Sequence, residues 1–279
     1  MTSPYVPPLR LNGRDIGPHA IMAVVNRTPD SFYDRGATYG FEAALDAVGR
    51  AVAAGADIVD IGGVKAGPGA DVGVAEELRR VVDLVAAVRD RHPRVVISVD
   101  TWRAEVGEAV ARAGADLLND TWGGPDPHLA EVAAAHGIGL VCAHAGPLDP
   151  RTRPHRIGYG DVVADVIAHV TGEAERAAAL GVRRDAILID PAHDFGKNTR
   201  QSLEITRRLE EMTATGWPVL VAVSNKDFIG ETLGRPVDKR GVGTMAVLGV
   251  SALLGARVFR VHDVPAARRA LDAVSALTR

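Results

Sequence analysis

Eight short runs rich in Val and Ile recur along the chain, each followed by a longer stretch with helical spacing. That alternation leaves few options besides repeated parallel βα units. The runs are Ala20 to Val25, Asp57 to Ile61, Val95 to Val99, Asp116 to Leu118, Gly139 to Ala143, Ala186 to Ile189, Val219 to Val223 and Arg257 to Val261. Between them, Phe41, Leu45, Val48 and Val52 share one helical face, as do Leu78, Val81, Val85 and Val88, with Glu76 and Glu77 suited to a helix N-terminus. Eight such units in 279 residues predict an α/β fold, a (β/α)8 TIM barrel, as one domain over 1–279 with a flexible tail over 1–8. Ahead of the first run, Asn12-Gly13 is a strong hairpin signal, because both turn residues tolerate positive φ; the hairpin is expected to plug the barrel floor.

Aromatic residues are 4% of the chain, so Val, Ala, Leu and Ile must fill the core. A formal charge of -3 lacks the basic surplus that nucleic-acid phosphates demand, and no nucleic-acid partner is expected. No apolar run reaches the ~18 residues of a membrane span, and the start carries prolines rather than a basic-then-apolar signal. A cytoplasmic protein without a membrane partner is therefore expected. The single cysteine, Cys142, lies in an apolar run and reads as a small buried hydrophobe. The segment from Ala145 to Tyr159, with Arg151, Arg153, His155 and Arg156 among prolines, reads either as a flap over the barrel mouth or as a solvated loop.

In such barrels the site is assembled at the C-terminal ends of the strands. The runs end at Asn26, at Gly62-Gly63, at Asp100, at Asn119-Asp120, at His144, at Asp190, at Ser224 with Lys226, and at Arg260 with His262. Taken singly, an Asp after a strand is a helix cap and a His is a satisfied structural group. Their convergence on one rim favours a site for a flat, amide-rich heterocycle together with an anion. Asp100 and Asp190 accept paired N–H donors, Asn119 donates and accepts, and Lys226 donates. No Cys, His and Glu cluster has zinc spacing, and Gly196-Lys197-Asn198 lacks the first Gly and the Ser/Thr of a Walker loop.

These segments resemble the dihydropteroate synthases and the wider pterin-binding barrel family. The resemblance runs through Asn26-Arg27-Thr28-Pro29-Asp30-Ser31-Phe32, Ser98-Val99-Asp100-Thr101, Asn119-Asp120, Asp190-Pro191 with Phe195-Gly196-Lys197, Ser224-Asn225-Lys226 and Arg260-Val261-His262-Asp263, in the family's order. It implies an enzyme that joins para-aminobenzoate to hydroxymethyl-dihydropterin diphosphate, releasing pyrophosphate, with magnesium. It further implies that Asp100, Asn119, Asp190 and Lys226 hold the pterin, with Asp100 and Lys226 catalytic, Asp100 favouring the cation formed as diphosphate leaves. By the same resemblance Asn26, Arg260 and His262 handle the diphosphate, Asn26 touches the magnesium, Ser224 serves the benzoate carboxylate, and the protein is a homodimer. The apolar stretch Thr244 to Leu254 suits a dimer face and simple barrel packing equally.

The match fails on one side. Where the family reads Glu-Ser-Thr-Arg-Pro-Gly after the second strand, this chain reads Val64-Lys65-Ala66-Gly67-Pro68-Gly69. The middle of Ser-Arg-Lys is Asn225, Arg27 replaces an aliphatic residue, and Ala192, His193 and Asp194 stand where small and aromatic residues are usual. Lys65 and Arg27 are candidates for the second-substrate side. A lysine is a point donor and does not reproduce the bidentate fork of an arginine. His193 reads equally as a partner for neighbours or as a ligand contact. The losses favour a divergent paralogue that binds pterin, with weakened, lost or redirected synthase activity. A working synthase, a transferase forming a C–N bond, is the alternative. A pterin methyl-transfer domain has little use for Arg260-Val261-His262.

Overall fold

The strands lie parallel in an eight-membered ring, and period-two alternation along each one explains both the core and the site. The computed structural model describes residues 7–29, 36–147, 149–152 and 157–278. A two-stranded hairpin, β1 (Arg10–Leu11) and β2 (Arg14–Asp15), precedes the ring. The ring strands are β3 (Ala20–Asn26), β4 (Ile58–Gly62), β5 (Val96–Asp100), β6 (Leu117–Asp120), β7 (Gly139–Ala143), β8 (Ile187–Asp190), β9 (Leu220–Val221) and β10 (Val258–Val261). Their order is β8-β7-β6-β5-β4-β3-β10-β9, and a parallel bridge between Ile189 and Val219 closes the ring. At that seam Ile189 N donates to Pro218 O at 2.9 Å. β9 is shorter than the run Val219 to Val223 because Pro218 supplies no amide hydrogen and the chain turns at Ser224.

Helices coat the ring. Phe41–Ala53 buries Ala44, Leu45 and Val48, and Val74–Arg91 buries Val81, Leu84, Val85 and Val88, as their spacing requires. Two helices, Thr199–Arg207 and Leu209–Thr213, follow β8, and two more, Asp227–Leu233 and Gly241–Leu253, follow β9. Among the described residues no helix is long and apolar enough to cross a membrane. Cys142 is buried, and burial pushes its thiol far up, consistent with a filler rather than a nucleophile.

The barrel interior holds a second apolar cluster that includes Ala20, Met22, Ile58, Val96, Leu117, Val141, Leu188, Leu220 and Val258, closed from below by Leu9, Leu11 and Ile16. The hairpin is therefore the floor plug that Asn12-Gly13 predicts, with φ of 49° and 67° at the two turn residues. Leu11 seats on Gly139, where an added Cβ would lie 2.8 Å from its Cδ2 and 2.5 Å from Ala186 O. Arg257 anchors the plug by donating to the carbonyls of Pro7, Ile16 and Gly17. Residues 1–6 of the expected tail lie outside the described residues, whereas Pro7 is buried and tied to Arg257. Truncating the plug by Leu11→Ala should cost about 2–5 kcal/mol, read as a lower urea midpoint. A change under about 0.5 kcal/mol would mean that the hairpin does not seal the core.

Candidate pterin site at the barrel mouth

Following the inward-facing positions up each strand leads from hydrocarbon to polar groups. On β3 the inward series is Ala20, Met22, Val24, Asn26; on β4 it is Ile58, Asp60, Gly62; on β5 it is Val96, Ser98, Asp100. On β6 it is Leu117, Asn119, on β8 Leu188, Asp190, and on β10 Val258, Arg260, continued by His262. Parallel register aligns Asn26, Gly62, Asp100 and Asn119 across four adjacent strands. Gly62 leaves room there: a Cβ would sit 3.0 Å from Asn26 Oδ1, so the asparagine side chain would have to give way by a few tenths of an ångström. The result is a cavity of about 420 Å³ whose walls include Asn26, Asp100, Ser224, Lys226, Arg260 and His262.

At the centre lies a charged lattice. Arg260 donates through Nε to Asp60 Oδ2 at 2.6 Å and through Nη2 to Asp100 Oδ2 at 3.0 Å. Asp60, fully buried, also accepts from Ser98 Oγ at 2.6 Å and Asn119 Nδ2 at 3.1 Å, while Asp100 Oδ1 accepts from Thr121 Oγ1 at 3.0 Å. The guanidinium is thereby held at the mouth by two carboxylates. Burial pushes Asp100 up to about 7, with Asp60 adding to the rise and Arg260 opposing it. Lys226 is lowered to about 8 by burial, against the pull of Asp190 and Asp194. Its ammonium lies 4.8 Å from the Phe195 ring centroid and donates to His193 O, and Trp122 packs edge-on against Phe195 at 5.3 Å. Asp190 and Asn119 are buried and do not themselves line the cavity: Asn119 is held on Asp60, and Asp190 accepts from Ala192 N at 2.7 Å, with burial raising its carboxyl.

Opposing shifts on Asp100 and Lys226 define a pH window. Asp100 is anionic above about 7 and Lys226 cationic below about 8, so affinity for a neutral pterin should peak between those values. It should fall by up to about tenfold per pH unit on either side. Calorimetric titrations from about pH 5.5 to 9.5 read this, and Asp100→Asn should weaken the acid limb only in part, because burial raises Asp190 as well. A flat profile would contradict it.

The residue that follows β10 pairs with the one that ends the run after β9. His262 Nδ1 lies 3.0 Å from Ser224 Oγ, which also accepts from His262 N at 3.3 Å. Lys65 and its neighbours Val64, Ala66, Gly67 and Pro68 line the opposite wall. Arg27 does not line the cavity. Its guanidinium donates to Tyr39 O at 3.0 and 3.1 Å and Arg80 O at 2.7 Å, fastening the first loop to the second helix. His193 is also turned away: it is fully buried, stacks on Phe228 at 5.4 Å, and places Nε2 3.0 Å from Thr206 Oγ1. Burial drives its pKa far down, so it is a neutral packing group. Asp194 does line the cavity, yet its Oδ2 accepts from Phe228 N at 3.2 Å and its Oδ1 from Ser202 Oγ at 3.2 Å. Asn225 takes φ of 57°, a left-handed conformation that Asn tolerates well.

Thr152 reaches the cavity, and Tyr159 Oη donates to Gly196 O at 2.9 Å, so the 145–159 segment does border the mouth. Its Arg153, His155 and Arg156 lie outside the described residues, as do Asp30, Ser31 and Phe32 of the first loop. Two residues of the site escape the strand-tip reading. Asp60 sits in mid-strand, and its signal is a carboxylate at an inward position of the apolar run Ile58-Val59-Asp60-Ile61. Arg240, just ahead of the helix Gly241–Leu253, lines the cavity from a loop that carries no strand-tip signal. Lys197, quoted within a motif, has a structural role: Nζ donates to His144 O at 2.6 Å, Phe195 O at 2.8 Å and Ala192 O at 3.3 Å.

The same construction recurs in proteins of known class. Residues 22–262 match the family described as pterin binding enzyme. The chain is 57% identical over 261 residues to a protein named inactive dihydropteroate synthase 2 of Mycobacterium tuberculosis, covering 92% of this chain and 82% of that one. The Yersinia pestis dihydropteroate synthase, solved with a sulfonamide drug complex, superposes with a TM-score of 0.91 at 34% identity, covering 97% and 98% of the two chains. The Xanthomonas albilineans synthase, solved with 4-aminobenzoic acid, gives 0.88 at 36% identity over 98% of each chain. With its motifs in order, its barrel closed and its acids, amide and lysine gathered at one mouth, the chain belongs to the pterin-binding enzyme family.

Proposed function

We propose that this protein binds a reduced pterin at the barrel mouth and does not carry out dihydropteroate synthesis at a useful rate. The observation that carries the reading is the asymmetry of the cavity. Asp100 and Lys226 line it, with Asn119 buried behind on Asp60 and Asp190 buried near Lys226, whereas the wall formed by Val64, Lys65, Ala66, Gly67 and Pro68 lacks the hydroxyl and guanidinium of the synthase loop. The name of the 57% identical mycobacterial relative agrees with that half-preserved site.

Within this reading the pterin amide edge pairs with Asp190 and Asn119, and Lys226 donates to the ring from its seat over Phe195. Asp100 faces the carbon that becomes electron-poor when a diphosphate departs. A fixed carboxylate there favours charge that develops only in the transition state. Arg260 and His262 receive the diphosphate, and Ser224, held against His262, stands between that end and the benzoate side it is expected to serve. Magnesium suits Asn26, whose amide oxygen is one hard ligand at that end, because magnesium keeps most of its shell as water and phosphate oxygen. Among the described residues no group of three or more His, Cys, Asp or Glu has metal-holding geometry, so the ion would enter with the diphosphate.

Calorimetric titration with a pterin, with and without pyrophosphate and magnesium, tests the binding half. Saturable one-to-one binding, tightened by pyrophosphate, is expected; its absence would overturn the reading. We also propose self-association through the helix Gly241–Leu253, which leaves Val242 87% and Leu253 57% exposed, beside Leu277 at 85%. Sedimentation velocity should show a dimer, and Val242→Glu with Leu253→Glu should give a monomer.

A further inference from the structure

We propose that Asp194 is the positioning residue of Lys226: its carboxylate ties down the first turn of the helix that starts at that lysine, and its charge keeps the lysine a cation beside the ligand. Asp194 lines the cavity together with Lys226, at a place where the synthases carry a small or aromatic residue. The helix Asp227–Leu233 follows directly on Lys226, whose own side chain caps none of its amides. Asp194 supplies the missing acceptor from another segment, its Oδ2 taking a bond from Phe228 N at 3.2 Å. Its Oδ1 accepts from Ser202 Oγ at 3.2 Å, and that hydroxyl in turn accepts from Asp194 N at 3.1 Å. Both carboxylate oxygens are thus engaged by the protein itself.

The turn that carries Asp194 is built to address the lysine. Ala192, Asp194 and Gly196 take left-handed φ of 49°, 68° and 62°. For two residues with side chains that conformation is costly, and it persists where the surroundings over-determine it. Carbonyls of the turn do so from two sides: those of Ala192 and Phe195 accept from Lys197 Nζ, and that of His193 accepts from Lys226 Nζ. One tripeptide therefore meets Lys226 with a carbonyl, a carboxylate and the Phe195 ring. The other charges that face the lysine are Asp190 at the end of β8, Asp100 on β5, Arg260 on β10 and Lys197 behind the turn. Asp227, its chain neighbour, is exposed and paired with Arg240. Burial lowers the amine to about 8, and Asp190 and Asp194 are the chief charges opposing that fall. A ligand N–H at Asp190 draws on that carboxylate, whereas Asp194, committed to Phe228 N and Ser202 Oγ, keeps its charge for the lysine.

The inference rests on the pterin reading only for the ligand, so the lysine is tested first without one. Competitive acetylation of the full chain with acetic anhydride from about pH 6 to 10, quantified at Lys226 by mass spectrometry, gives the titration curve of the amine. Asp194→Asn keeps an oxygen for Phe228 N and removes the charge, so the curve should move about one pH unit lower. Pterin affinity by calorimetry should then fall about fivefold to tenfold at pH 8.5, and about threefold or less at pH 6, where the ammonium persists without help. Ser202→Ala removes a support of the carboxylate and leaves its charge, so it should move the curve by less than about 0.3 pH unit. Should Asp194→Asn fail to fold, Asp194→Gly, which suits the left-handed φ, carries the same expected shift. An unmoved curve, equal shifts in Asp194→Asn and Ser202→Ala, or a loss of affinity independent of pH would overturn the proposal. A shifted curve in a chain that binds no pterin would instead sink the pterin reading and leave this one standing.

Discussion

Turnover with hydroxymethyl-dihydropterin diphosphate, para-aminobenzoate and magnesium is expected to lie at least about a thousandfold below that of the Yersinia pestis synthase under the same conditions. The size follows from what the loop wall lacks. A hydrogen bond to a charged group contributes roughly 1.5–3 kcal/mol, and the missing hydroxyl and guanidinium of the loop together with the missing arginine at 225 remove several at once. Poor closure also forfeits positioning of the two reactants. The structure makes restoration feasible in part. Gly67 has a negative φ, and an added Cβ meets only Lys65 Cε at 3.7 Å, so Gly67→Arg fits without backbone strain. Ala66→Thr with Gly67→Arg should raise kcat/KM at least about tenfold. Adding Asn225→Arg should help less than its counterpart implies, because Arg240 already occupies that wall. Wild-type turnover near that of the Yersinia enzyme would show that the loop residues are dispensable here.

Removal of Asp190 is expected to give the largest loss of pterin affinity, at least about a hundredfold in Asp190→Ala. Its carboxylate is buried beside Lys226, and Ala192 N already takes one oxygen. That leaves the other to pair with a ligand N–H in a place where water cannot compensate for a missing acceptor. Asp190→Asn keeps an oxygen for Ala192 N while turning one acceptor into a donor, so it should lose nearly as much affinity with a smaller effect on folding. Equal pterin binding by wild type and Asp190→Asn in calorimetry would place the ligand elsewhere.

How far these expectations reach back into the sequence differs by residue. The barrel was legible because eight Val and Ile runs alternate with helical spacing, and the hairpin plug because Asn12-Gly13 admits few other turns. Asn26, Asp100, Lys226, Arg260 and His262 were legible as strand-tip groups, and the structure brings them to one cavity. Asp60 was missed because it lies inside an apolar run, although an inward carboxylate in a barrel strand needs a partner, here Arg260. Arg240 was invisible because nothing local marks a loop residue as facing a mouth assembled from distant strands. Arg27 reads as a second-substrate candidate because it departs from the family's aliphatic residue, and His193 reads equally as a partner for neighbours or a ligand contact. Carbonyls at Tyr39 and Arg80 in one case, and the Phe228 ring with Thr206 in the other, turn them away from the cavity. Those partners are tertiary neighbours that no spacing rule reveals.

The most direct measurement is a crystal structure of the chain with a pterin and pyrophosphate. The heterocycle should lie within hydrogen-bond distance of Asn119, Asp190 and Lys226, with the pyrophosphate against Arg260 and His262 and Gly67 leaving its side open to solvent. A pterin bound away from Asp190 and Lys226, or a loop 64–69 folded tightly over both ligands, would contradict a site that keeps one half of a synthase and has lost the other.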